Sequence, residues 1–216
     1  MLVGHFGVAL LAKRVEPKIS LGTLVLAAML ADFLYCVFLL TGIEHVQFQP
    51  QLGAANYITD FDVAISHSLL MDAVWATLFA AAYFLKRHYA RGAWILFIAV
   101  LSHWVLDATS LYEPLAPGSS VDAGLGLWHS IFATVVVEGG FWLMALILYA
   151  TFTHPRKRIG VYAFWAFVVL LTFAWYNNIT GPPPPGPVTA GISGLIFFSL
   201  AVAWAYWMNR LRPIEP

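Results

Sequence analysis

The sequence predicts an all-α fold, a polytopic membrane helix bundle with six transmembrane helices and a short apolar helix ahead of them. Three observations carry that prediction. The 216 residues are 61% hydrophobic and only 10% charged, with a mean hydropathy of +0.78. Soluble domains carry about 25% charged residues. Six runs approach the roughly 20 apolar residues that a span requires. Every Lys and Arg falls at the end of, between or beyond those runs.

The first element is MLVGHFGVALLA, residues 1–12. It is too short for an ordinary span, and a half-helix, an interfacial helix and a short seventh span all remain open. Lys13 and Arg14 follow this run instead of preceding it, so it does not read as a cleaved signal. The six spans then cover residues 20–42, 67–86, 92–112, 126–151, 159–178 and 189–209. Basic clusters at 13–18, 86–91, 156–158 and 210–212 alternate with connections 43–66, 113–125 and 179–188, which contain no Lys or Arg. The positive-inside rule puts the basic side, and with it the C-terminus, in the cytoplasm. Trp94, Trp128, Trp175 and Trp207 near the span ends suit interfacial anchoring. The connection 43–66 is long enough to act as a partial lid. Residues 182–185 are four consecutive prolines, a stiff polyproline II connector.

The expected organisation is one integral domain over residues 1–216. Zero formal net charge argues against a nucleic-acid partner, and the lipid bilayer is the partner expected. Cys36 is the sole cysteine, which excludes an internal disulfide and any C-x-x-C metal site.

The ionisable residues inside the apolar runs carry the functional information. Asp32, His67, Asp72, His103, Asp107 and Glu138 lie about 18–28 Å above the basic anchors at 1.5 Å per helical residue. They form one layer, from mid-bilayer to the outer interface, drawn from four spans. His103 and Asp107, four residues apart, share a helix face. A lone Asp at a span centre costs about 2.5–3.5 kcal/mol, and no Lys or Arg lies at this depth to offset it. Protonation, a water-filled cavity or a bound cation could each resolve the conflict. A divalent metal is the most economical, because it satisfies carboxylates and imidazoles together. The bland counterparts are interhelical hydrogen bonding for His103–Asp107 and helix capping for Asp62 and His67.

These pieces resemble the YdjM-like membrane-bound metal-dependent hydrolases, also described as LexA-binding inner-membrane proteins and named for predicted hydrolysis. That family shows an early His, a Pro-Asp-x-Asp stretch, an HRGxTHS-like stretch and an HxxxD helix. Here the counterparts are similar: His5 in GHFGVALLAKR, Asp32 in MLADFLY, His67 and Ser68 in DFDVAISHS, and His103 with Asp107. The resemblance covers about residues 1–112. The chain departs from the pattern in having Ala31 for the proline, Leu34 for the second Asp and Asp62 in place of the leading His.

The resemblance implies a metal site built from His5, Asp32, His67, His103 and Asp107, with Asp62 a sixth candidate. The cofactor expected is zinc, as one or two ions, since five or six donors exceed a single tetrahedral site. Glu138, His129 and Asp72 are the candidates for proton transfer. The activity implied is metal-dependent hydrolysis, with a lipid-linked or phosphoester substrate suggested by the depth of the site. Two other classes stay open: an ion- or proton-coupled transporter, and a scaffold whose polar groups only join helices. A three-histidine, alkaline-ceramidase-like site is disfavoured, because the chain has HxxxD and no HxxxH.

Overall fold

Helix α1, Leu2–Val15, runs through the middle of the bundle. Its buried residues include Val3, His5, Phe6, Ala9 and Leu10, so it is covered on all sides, as an all-round apolar helix must be. Fourteen residues give about 21 Å of helix, short of the ~30 Å hydrocarbon core. The computed structural model describes residues 1–48, 55 and 58–214.

Around α1 stand the longer helices. Among the described residues, five are long and apolar enough to cross a membrane: α5 (Leu69–Arg87), α6 (Ala90–Ser110), the run Ile131–Phe152, α9 (Arg158–Thr180) and α10 (Pro187–Leu211). A sixth span is formed if α2 (Leu21–Ala28) and α3 (Leu30–Thr41), bent by 56° at Met29, are taken together. The molecule is thus an all-α polytopic bundle, and the six hydropathic runs correspond to these elements. Bulky apolar side chains such as Leu78, Trp94, Ile98, Val169, Phe173 and Leu200 are exposed on the outside, where lipid would cover them.

Four local features depart from the sequence expectation. The span 20–42 is broken instead of continuous. The span 67–86 is preceded by a separate turn, α4 (Ala64–His67), because Ser68 is extended and caps α5 through Met71 N–H. The span 126–151 begins with a 3-10 turn, Leu127–His129, then α7 (Ile131–Thr134), a π segment (Val135–Gly139) and α8 (Gly140–Phe152). Two outer connections also form short antiparallel hairpins: β1 (His45–Phe48) with β2 (Ile58–Asp62), and β3 (Tyr112–Pro114) with β4 (Asp122–Gly124). Such hairpins let a connection satisfy its own backbone groups.

Close helix contacts rest on small residues. A Cβ on Gly7 would lie 2.9 Å from the Phe141 ring, and one on Gly22 would lie 2.3 Å from the Tyr206 ring. These glycines bring α1 against α8 and α2 against α10. On the basic side, Glu16 holds Arg91 at 3.1 Å and accepts from the Tyr89 hydroxyl at 2.7 Å. Arg212 there donates to Thr153 O at 2.9 Å and lies over the Phe164 ring.

Candidate metal centre

The break at Met29 builds half of the site. Asp32 falls in the first turn of α3, where a carboxylate is favoured near the free N–H groups. The break also frees the Ala28 carbonyl, which accepts from His103 Nδ1 at 2.8 Å. A carbonyl can only accept, so His103 carries its proton on Nδ1 and turns the lone pair of Nε2 inward. Such an orienting partner is characteristic of metal-ligating histidines.

Four elements now converge. α1 supplies His5, α3 supplies Asp32, α4 supplies His67, and α6 supplies His103 with Asp107. Asp107 Oδ1 lies 3.1 Å from His5 Nε2, while Oδ2 lies 3.2 Å from His103 Nε2 and 3.9 Å from His67 Nε2. Asp32 Oδ1 lies 3.7 Å from His67 Nε2 and 3.9 Å from His103 Nε2. The His5 and His103 rings stack at 3.7 Å. The amino group of Met1 also contacts the Asp107 carboxylate.

The donor set fits a cation. Zinc with ligands at about 2.0–2.1 Å in a tetrahedron has donor atoms about 3.3 Å apart, close to the spacings here. Among the described residues, two groups of three have donor atoms within 4.8 Å of one another: His5, His103 and Asp107, and Asp32, His67 and His103. His103 belongs to both, and its Nε2 is buried without a hydrogen-bond partner. The arrangement therefore suits one ion with several ligands, or two ions bridged by the Asp107 carboxylate, whose Oδ1 faces His5 and whose Oδ2 faces His103 and His67.

The remaining predicted residues lie elsewhere. Asp62 is exposed on β2, opposite His45, and is not brought to the cluster. Asp72 is fully buried on α5 and accepts from the Trp104 backbone N–H at 3.2 Å. Glu138, in the π segment, accepts from Trp175 Nε1 at 2.9 Å and from Gly4 N–H at 3.3 Å. His129 sits on the outer 3-10 turn with Nδ1 2.9 Å from Gly126 O.

A cavity of about 620 Å³ opens on the cluster. Its wall includes His5, Asp32, His67 and Asp107. Most of the remainder is apolar, with Leu2, Phe48, Trp128, Phe197, Phe198 and the prolines 182–185. The proline run, expected only to connect two spans, thus forms part of the cavity wall. Glu113 on β3 lines the same cavity. It is buried, its Oε2 has no partner, and burial pushes its carboxyl up to about 7. Sequence reasoning missed Glu113; the available signal was an acid only six residues beyond Asp107 in an otherwise apolar SLYEPL stretch.

The family model for the YdjM inner membrane protein matches residues 1–179. The chain belongs to that family. The match takes in all five converging residues and extends past the first half of the chain, where the motifs lie. It also makes this an integral inner-membrane protein. No curated protein and no solved structure matches significantly.

Proposed function

We propose that the protein is a membrane-embedded metal-dependent hydrolase. The observation that supports this most is the convergence of three imidazoles and two carboxylates, from four separate elements, with all but His103 lining one cavity. Zinc, as one or two ions held by His5, Asp32, His67, His103 and Asp107, is the cofactor proposed. When bound, such an ion makes water nucleophilic near neutral pH and stabilises charge on the attacked oxygen.

The chain's own residues have distinct parts. Ala28 O holds His103 with its lone pair inward. Glu113, whose buried Oε2 has no hydrogen-bond partner and which lines the same cavity, takes a proton from water in this reading, with Glu138, Asp72 and His129 as more distant proton carriers. The apolar wall of Phe197, Phe198, Trp128 and Phe48 suits a chain of methylene or isoprenoid groups. We therefore propose a lipid-linked ester or phosphoester, entering from the outer half of the bilayer, with the C-terminus of the protein in the cytoplasm. Metal analysis of the purified protein beside a His103→Ala variant tests the reading. Bound metal in the parent and its loss in the variant support it; negligible metal in both refutes it.

One observation favours a second reading. Broken helices at mid-membrane also mark ion-coupled transporters, and α2–α3 is one. Liposome flux that depends on Asp32 would favour transport over hydrolysis.

A further inference from the structure

Glu44 lies at the start of the outer connection 43–66. The structure buries it at 2% exposure and turns it inward. Gly42, at φ +71°, reverses the chain at the end of α3, and the N–H groups of Ile43 and Glu44 close back on Phe38 O at 2.9 and 3.3 Å. That turn delivers the Glu44 carboxylate to α4. There Oε1 accepts from Ser66 N–H at 2.6 Å and Oε2 accepts from the Ser66 hydroxyl at 2.7 Å. The same hydroxyl oxygen lies 2.6 Å from His67 Nδ1.

The protons in this chain can be assigned. A hydroxyl has one hydrogen and two lone pairs. Ser66 commits that hydrogen to Glu44, and its other acceptor in reach is the Val63 carbonyl at 3.2 Å. With either partner, the Ser66 oxygen has only lone pairs to offer His67. The His67 ring must then donate from Nδ1, which in the neutral ring leaves the lone pair on Nε2, the atom facing Asp32 and Asp107. His103 reaches the same state through a backbone carbonyl, whereas His67 reaches it through a hydroxyl that a remote carboxylate polarises.

We propose that Glu44 is a positioning residue for the metal centre, acting through Ser66 to hold His67 as an Nε2 ligand. This rests on the metal-centre reading above. Glu44→Gln is nearly isosteric but reverses one bond. Its amide NH₂ donates to the Ser66 oxygen, and of the two acceptors then open to the Ser66 hydrogen, Val63 O at 3.2 Å and His67 Nδ1 at 2.6 Å, the nearer is His67. The ring then carries its own proton on Nε2 and loses the ligating lone pair. Loss of an orienting partner of this kind weakens metal binding by about 10–100-fold.

The test is zinc affinity of the full-length protein in detergent, by competition with a chromophoric chelator, for the parent, Glu44→Gln, Ser66→Ala, Ser66→Thr and His67→Ala. The metal-free thermal midpoint is measured for each. The expected result is about 10–100-fold weaker zinc binding in Glu44→Gln and Ser66→Ala, with Ser66→Thr close to the parent. Glu44→Gln should keep the parent's metal-free midpoint, which separates positioning from general loosening. Parent-like zinc binding in Glu44→Gln, alongside a loss in His67→Ala, overturns the proposal and leaves the metal centre standing. A parent that binds no zinc overturns both.

Discussion

Glu138 offers a quantitative check on the interior. Its carboxylate is 1% exposed and has two donors, Trp175 Nε1 at 2.9 Å and the longer Gly4 N–H at 3.3 Å. Trp175→Phe keeps most of the ring area and removes the shorter bond. A buried acceptor stripped of a partner costs about 1–3 kcal/mol, with charged groups toward the upper end. For a chain of this size that is a fall of about 2–12 °C in thermal midpoint. The same substitution in a Glu138→Gln background should cost less, since a neutral amide tolerates the loss better. The assay is thermal unfolding in detergent across the four-member cycle. A Trp175→Phe midpoint equal to the parent's, or an equal cost in both backgrounds, would refute the reasoning.

Three further outcomes are expected. Glu113 has a folded pKa raised to about 7, so the folded state binds an extra proton above the ordinary carboxylate range and stability is lost as pH rises through that window. The midpoint of Glu113→Gln relative to the parent should accordingly increase between about pH 5 and about pH 8, and a constant difference would contradict this. Gly22→Ala should cost about 1–3 kcal/mol, because the new methyl meets Tyr206 ring atoms at 2.3 and 2.4 Å, next to that residue's own backbone; a parent-like midpoint would show that α2 and α10 can separate freely. Asp107→Asn should abolish metal retention while Asp62→Asn leaves it unchanged, read by metal analysis of both proteins.

The spans were legible because hydropathy and the alternation of basic clusters are long, redundant signals. The common level of Asp32, His67, His103 and Asp107 was legible for the same reason, since helical rise converts residue counts to distance. The break at Met29 was not. No Pro or Gly marks it, and Ala31 stands where the family has its proline. A carbonyl freed by such a break, as at Ala28, leaves no trace in composition. His5 was found only through the family resemblance, because an isolated His in a 14-residue helix has no periodic partner. Asp62 was placed with the ligands by motif position, but its strand pairs with β1 and leaves the side chain outside. Glu44 and Glu113 were not legible as site residues because the turn at Gly42 and strand β3, not helical periodicity, bring them inward.

The four prolines that border the cavity have a chemical consequence of their own. Proline has no backbone N–H, so residues 182–185 present ring methylenes and carbonyl oxygens with no amide hydrogens to satisfy. A wall of that kind cannot pair with a passing strand or grip a polar headgroup by donation. It can border oil on one side and water on the other without leaving a donor stranded. An alkyl tail could slide along it with little to hold it back, so the grip on any guest would come from the histidine and carboxylate cluster and the aromatic rings beyond.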